Sequence, residues 1–555
     1  MKIAFESKLP ADPQKLRGGY YTPALATEYL VNWAIRSGEE RILEPSCGDG
    51  NFLLPITKRV AELRPDISLN HPSCVTAVEV EPNELNKAQN RVDSSIGLNV
   101  PIEWIGDDFF RAYPVLQAEK FDVVLGNPPF IRFQYFQEES RDIAFGHLRD
   151  AGYKPTKLAN AWAAFVQLSI ELLKPGGRLA MVLPAELLQV QYASELRSRF
   201  VASFEHIVLI GFKQLIFPEI QQEVVLLLAE GKRENPGDDC EIHTIDINDA
   251  SELAEGVLEN QIAHTPARHS RKGMKWTSLY LSESAFSAID KAENHPELTR
   301  LSVLADVEVG VVTGLNSFFV IDSERVRDIG AENFSTPVVG KTSALKGLSF
   351  GVDEFRAYRE KYPSYLLNFN GIPKNRIPSG VHDYIAHGES AGAHKGYKCS
   401  IRKRWIDVPS IYIPDGFLFR QIHGYPLLVL NEVNATSTDT IHRVRVKEDI
   451  NPRLLSASFV NSLTFAWAEV AGRSYGGGVL ELEPREAQGL PIPYFPDCDL
   501  DFNYINELIR SDNIEAALDY VDQRVLINRL GFSLAETIAM RTAWHELRNR
   551  RINRR

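Results

Sequence analysis

Seven short β-rich runs lie within residues 41–231: RILEP (41–45), VTAVEV (75–80), PIEWIG (101–106), FDVVLGN (121–127), GRLAMVLP (177–184), HIVLIGF (206–212) and EVVLLLAEG (223–231). Each reads as a strand. Amphipathic segments such as EYLVNWAI (28–35) and FVQLSIELL (165–173) fall between several of them. Strands alternating with helices predict an α/β, doubly wound parallel sheet. Pro175, Gly176 and Gly177 end the helix before the fifth run. The last two runs are joined by KQLIFPEIQQ, which leaves no room for a long helix and predicts a reversed, antiparallel edge strand.

The pattern changes after residue 231. KRENPGDD is polar and breaker-rich and reads as a boundary. Short β-like pieces such as VEVGVVTG, FFVID and HRVRVKE follow in irregular order, which predicts an α+β region. Helical periodicity returns in INELIRSDNIEAALDYVDQRVLINRL. Three segments result: a catalytic domain over 1–235, a second domain over 236–500, and a helical segment with a basic tail over 501–555.

Composition narrows the classes. The chain has 555 residues, 44% apolar and 24% charged, ordinary for a globular protein. No apolar stretch approaches the ~18 residues of a membrane span, and the N-terminus lacks a secretory apolar region. Cys47, Cys74, Cys240, Cys399 and Cys498 are scattered without a CxxC pair, which argues against a zinc cluster and for a reducing cytoplasm. The net charge of −12 speaks weakly against a nucleic-acid partner. A basic groove can nonetheless sit on an acidic molecule. Residues 395–424 are locally basic, and the chain ends in WHELRNRRINRR.

Four constellations carry chemistry. LEPSCGDGNF (43–52) follows a strand and opens a helix, a place where glycines admit a ligand and free N–H groups face it. Glu79, at the end of the next strand, stands where an acidic residue binds ribose hydroxyls or caps a helix. Asp108, in GDDFF (106–110), can accept from an exocyclic amine or serve a solvated turn. These three fit a dinucleotide enzyme as well. Asn127-Pro128-Pro129-Phe130 decides the class. Two prolines stiffen the backbone and leave carbonyls free to accept. The Asn127 side-chain carbonyl and the Pro128 backbone carbonyl can then grip one –NH₂ group, and Phe130 offers a flat face to a base. An aromatic amine is a poor nucleophile because its lone pair is delocalised; two acceptors on its hydrogens favour a pyramidal nitrogen. Upstream, Thr22 in GGYYTP (18–23) reads either as a helix N-cap or as part of a lid over a charged ligand.

Taken together, YYTP, LEPSCGDGNF, VEVEP, GDDFF and NPPF resemble the gamma class of DNA amino-methyltransferases, the TaqI-like adenine enzymes of type II restriction-modification systems. The order of motifs is the gamma order. AAFVQLSIELLKPGG (163–177) and IFPEIQQEVVLLL (216–228) continue the likeness. The resemblance implies a seven-stranded class I methyltransferase sheet with an α+β target-recognition domain, S-adenosylmethionine as donor and adenine N6 in a flipped-out base as acceptor. Thr22 and the backbone at Glu44 and Ser46 would hold the methionine part, and Glu79 the ribose. Asp108 and the Phe109 backbone would read the cofactor's adenine, with Pro129 and Phe165 packed on its ring. Asn127, Pro128 and Phe130 would be catalytic, and Phe130 and Phe217 would stack on the target base. Double-stranded DNA is the implied partner, bound by a monomer, with Arg402, Lys403, Arg404, Arg420 and Arg473 as contacts. A separately encoded cognate endonuclease stays open, as does cytosine N4 as acceptor. Ser46 replaces the usual Ala, and NPPF ends in Phe rather than Tyr, which stacking tolerates.

Two rival enzyme classes share the NPP-aromatic motif. Protein-glutamine methyltransferases lack a long C-terminal region and the Thr-Pro lid. Type I modification subunits normally carry a helical domain ahead of the lid, where only 17 residues precede Gly18 here. A DNA-binding module with a dead methyltransferase fold is disfavoured because every chemical position is intact.

Overall fold

The computed structural model describes residues 22–553, except 96–98, 156–159, 215, 217–222, 255–256, 271–272 and 476. The chain forms two compact units. Among the described residues, the first comprises Thr22 to Tyr280 together with Arg473–Gly478 and the chain from Arg550. The second comprises Leu281–Gly472 and Val479–Asn549.

The first unit is built on one nine-stranded sheet with strand order β3-β2-β1-β4-β5-β7-β6-β8-β9. Its strands are β1 (Ile42–Glu44), β2 (Val75–Val78), β3 (Ile102–Ile105), β4 (Phe121–Gly126), β5 (Leu173–Pro184), β6 (His206–Phe212), β7 (Val224–Glu230), β8 (Glu241–Ile247) and β9 (Arg268–His269). Strands β3, β2, β1, β4 and β5 pair in parallel. The helices used below are α1 (Ala24–Ala34), α2 (Leu53–Leu63), α3 (Pro82–Asp93), α4 (Phe109–Glu119) and α5 (Ala161–Leu172). Six of the seven runs contain one strand each, and the fifth, 177–184, lies within the longer β5.

Two expectations change. The reversed strand exists, but not at the edge: β7 is antiparallel to both β5 and β6 and lies between them. Its sequence VVLLLAE is buried in all but the final residue. At an open edge such a strand would expose apolar surface and unpaired backbone. The sheet also continues beyond residue 235. β8 pairs in parallel with β6, and β9 pairs antiparallel with β8, so the sheet has nine strands rather than seven and the unit extends to Tyr280. EIHTIDI is polar at every second or third position, which suits a half-covered strand and hid it from a search for apolar runs.

Local chemistry sets several helix ends. Asp108 caps α4, its Oδ1 accepting from Phe110 N at 2.7 Å. Pro114 inside α4 cannot donate to the Phe110 carbonyl four residues back. His147 Nε2 meets that carbonyl at 3.0 Å and restores its hydrogen bond. Gly50, at φ +83°, lets the 48–52 loop approach α3; a Cβ there would lie 2.9 Å from Ala88 Cα.

The second unit is α+β, as expected. A five-stranded sheet runs 305–308, 441–446, 416–419, 428–431 and 349–350, antiparallel except for the last pair. A separate apolar cluster spans Val311 to Val408 around Phe318, Phe319 and Phe369. Helices Phe502–Arg510 and Ile514–Asp522 pack on the main core of this unit. No single helix among the described residues is long and apolar enough to cross a membrane.

The basic tail is not a solvated run. Arg550 belongs to the first unit, where Nη2 donates to Asp246 Oδ1 at 2.8 Å and Nε to Oδ2. Its guanidinium lies 3.9 Å from the Tyr280 ring centroid. Arg551 is buried and donates to the Gly478 carbonyl.

Candidate active site

Strand order reverses between β1 and β4, and ligands of doubly wound sheets bind outside the carboxyl ends at such a point. Glu44 ends β1 and Asn127 follows β4 directly. Ser46 Oγ donates to the Asn127 carbonyl at 3.4 Å, linking the two loops. A cavity of about 690 Å³ opens here, bordered by Thr22, Glu44, Glu79, Asp108, Asn127 and Phe165 among others. That volume suits a nucleoside-sized ligand.

The cavity is acidic. Glu44 is 1% exposed, and its Oε2 has no hydrogen-bond partner among the described residues. Burial, reinforced by Glu79 and Asp49, holds its carboxyl well above the usual range. Asp49 is also raised by burial, although Arg91 pairs with it, and its Oδ1 likewise lacks a partner among the described residues. Glu79 Oε2 accepts from Gly48 N at 2.8 Å and Oε1 from Glu81 N at 2.9 Å. Glu79 thus caps backbone and borders the cavity at once. Burial raises its carboxyl against the lowering pull of those two N–H groups. The buried Glu44 and Asp49 and the half-buried Glu79 around one cavity suit a ligand that brings positive charge and hydroxyl donors.

The opposite wall is aromatic. Phe109 and Phe165 stack at 4.9 Å and 15°, and Phe110 meets Phe165 edge-on at 4.7 Å. Pro129 completes this wall. Asp108 Oδ1 accepts the cap N–H, and the carboxylate keeps further lone pairs, those of Oδ2 among them, for a ligand amine.

Thr22 is buried but is not an N-cap; Pro23 occupies that position without a side-chain bond. Thr22 instead accepts on Oγ1 from Asn127 Nδ2 at 3.2 Å, and its carbonyl accepts from Asn51 Nδ2 at 2.5 Å. Pro128 is buried, and Phe130 packs partly against the core; neither borders the cavity that Asn127 and Pro129 border. Phe217 lies outside the described residues. Sequence reasoning missed the Glu44 carboxylate, having assigned only its backbone, and missed Asn51. It also missed the wall at Ile131, Tyr135 and Phe136, for which the aromatic run FIRFQYF was the available signal.

The expected DNA contacts fare differently. Arg402 donates to the Val312, Thr313 and Trp405 carbonyls, and Arg404 to the Ile372 carbonyl. Arg420 pairs with Glu481 at 2.6 Å and Glu483 at 3.0 Å. These three guanidiniums hold the second unit together. Lys403 is exposed. Arg473 belongs to the first unit and is half-buried, next to Ser474, which donates to Glu223 at 2.6 Å.

Comparison with known families decides what this site belongs to. The Eco57I restriction-modification methylase family matches residues 65–217, and the C-terminal domain of the type II methyltransferase M.Eco57I matches residues 273–526. Both matched segments are similar to Eco57I-type restriction-modification methylase domains. Related proteins include the type II methyltransferase M.AccI of Acinetobacter calcoaceticus, 21% identical over 87% of this chain and 86% of that protein. M.XamI of Xanthomonas campestris pv. amaranthicola is 22% identical over 86% and 85%. In fold, this chain is similar to the type IIL restriction-modification enzyme MmeI solved with DNA, at TM-score 0.59 and 14% identity over 95% of this chain and 75% of that one. The matched methylase models and the type II methyltransferase relatives imply S-adenosylmethionine as cofactor. The acidic, aromatic-walled cavity fits it: the partnerless oxygens of Glu44 and Asp49 suit its cationic part, and the Phe109–Phe165 wall suits its adenine.

Proposed function

We propose that this protein methylates adenine N6 in a base flipped out of double-stranded DNA, as the modification enzyme of a restriction-modification system. It acts as a monomer in the cytoplasm; a separately encoded endonuclease stays open. The observation that carries the reading is Asn127, directly after β4 and followed by the buried Pro128, bordering an acidic cavity at the strand-order reversal. S-adenosylmethionine, when bound, supplies an electrophilic methyl group.

In this proposal the chain's own residues divide the work. Glu44 and Thr22 hold the methionine part, Glu79 accepts from the ribose hydroxyls, and Asp108 Oδ2 with the Phe109 backbone reads the adenine. Pro129 and Phe165 pack on that ring. Thr22 takes the nitrogen of the Asn127 amide, so the amide's oxygen is the end that addresses the target amine. The Pro128 carbonyl grips the second hydrogen, and Phe130 and Phe217 stack on the flipped base. Flipping costs a few kcal/mol, which stacking and DNA contacts of the C-terminal unit offset. Expression in a host lacking DNA methylation, followed by sequencing for modified bases, tests this. Methyladenine in one sequence context is expected. Methylation at cytosine N4 would reassign the acceptor, and unmodified DNA would overturn the reading.

A further inference from the structure

The segment 395–405 sorts its cations by kind. Its arginines point inward: Arg402 and Arg404 are engaged on backbone carbonyls at 2.7 to 3.3 Å. Cys399 is fully buried, and Trp405 packs 4.8 Å from Phe318. Gly314, at φ +82°, passes so close beneath that a Cβ there would lie 2.8 Å from Lys398 Cβ. The segment is therefore a braced platform.

Its lysines point outward. Lys395, Lys398 and Lys403 are exposed and form no ion pair among the described residues. Between them, on and just after the one-turn helix Tyr397–Ser400, stand Tyr397 at 73% and Ile401 at 62% exposure. Tyr397 is the most exposed large apolar side chain among the described residues. Four positions apart in helical backbone, the two share one face. Arg404 ties this platform to Ile372, whose neighbours Lys374 and Arg376 are exposed as well. An apolar pair ringed by unpaired lysines, on a chain of net charge −12, is a local reversal of sign. Lysine is depleted from protein–protein interfaces, whereas exposed lysines on flexible stems suit phosphates. Apolar side chains among them suit thymine methyls and base edges in a groove.

We propose that the face formed by Lys395, Tyr397, Lys398, Ile401 and Lys403 docks on duplex DNA, with the lysines on phosphates and Tyr397 and Ile401 in the groove. This rests on the DNA-methylation reading above. The test uses the full-length protein, S-adenosylmethionine, and a duplex carrying the site recovered from methylated host DNA. Lys395→Gln/Lys398→Gln/Lys403→Gln should flatten the slope of log Kd against log salt by about 2–3, roughly 0.9 for each phosphate no longer neutralised. Tyr397→Ala/Ile401→Ala should leave that slope unchanged and reduce discrimination between the site and random duplex by about tenfold or more. Both should keep the wild-type Tm and cofactor affinity, whereas Arg402→Gln should lower Tm. Should the triple variant fail to fold, single Lys→Gln variants read the same slope. Wild-type DNA binding and methylation in both sets of variants would overturn the proposal and leave the face to an acidic protein partner. A wild-type protein that methylates no DNA would overturn the functional reading instead.

Discussion

Asn127 Nδ2 donates to Thr22 Oγ1 at 3.2 Å, a bond between residues 105 positions apart. The Thr22 carbonyl in turn accepts from Asn51 of the 48–52 loop. One threonine thus joins the loop after β1 to the loop after β4, and its hydroxyl accepts from the nitrogen end of the Asn127 amide. A residue that reads in sequence as a helix cap or part of a lid is in structure a brace for Asn127.

Thr22→Val keeps the shape and removes the acceptor. The methyl-transfer rate should fall about tenfold, the worth of one neutral hydrogen bond, with cofactor affinity nearly unchanged. Asn127→Ala should cost about 10²–10³ or more. Single-turnover methylation and calorimetry on the same variants separate rate from binding. Near-wild-type turnover of the Asn127 variant would remove the mechanism; a Thr22 variant that loses only cofactor affinity would return Thr22 to a purely cofactor role.

Glu44 should make cofactor binding depend on pH. Its carboxyl is raised by burial and by Glu79 and Asp49, so the free protein holds this proton to a higher pH than the unfolded chain does. Stability from the neutral carboxyl is complete below the ordinary carboxylate value of about 4.3 and declines as pH rises toward the folded value. A cationic ligand favours the ionised form, so binding should release a proton and strengthen as pH rises through that interval. Glu44→Gln should abolish both effects. Calorimetry in buffers of different ionisation enthalpy measures the proton directly; equal proton release in both proteins would exclude Glu44.

Glu79→Ala removes the proposed ribose acceptor and the acceptor of two backbone N–H groups. S-adenosylmethionine affinity should fall by roughly 1.5–3 kcal/mol, and Tm should fall with it. Glu79→Gln retains one acceptor oxygen and should lose less. Titration with NAD should show no binding; tight binding would revive a dehydrogenase reading of the 43–52 loop and Glu79.

Arg550→Ala should cost about 3–5 kcal/mol of stability, because it removes the guanidinium that pairs with the largely buried Asp246. Arg550→Met with Asp246→Leu should recover most of that loss. Thermal melting checks both. A phosphate contact, as the terminal arginine run suggests in sequence, would instead alter the salt dependence of DNA binding and leave Tm in place.

Residues 24–230 were largely legible before folding. Runs such as VTAVEV and FDVVLGN announce strands because local apolar pattern and burial coincide there, and NPPF announces its chemistry because the prolines act on their own backbone. The motifs needed only their order to be read. Other features are questions of distance. β7 takes an interior place because seven almost wholly apolar residues need a neighbour on either side, and only topology supplies β5 and β6. Arg402, Lys403 and Arg404 are indistinguishable as a basic cluster in sequence. Folding brings the carbonyls of Thr313 and Ile372 to the two arginines and nothing to the lysine. Arg550 finds Asp246 across 304 positions. The sequence determined which residues could do chemistry and which segments could be strands. Tertiary structure decided which charges were neutralised inside and which were left to meet a partner, because a guanidinium's role depends on which acceptors stand within about 3 Å, and chain connectivity alone does not specify them.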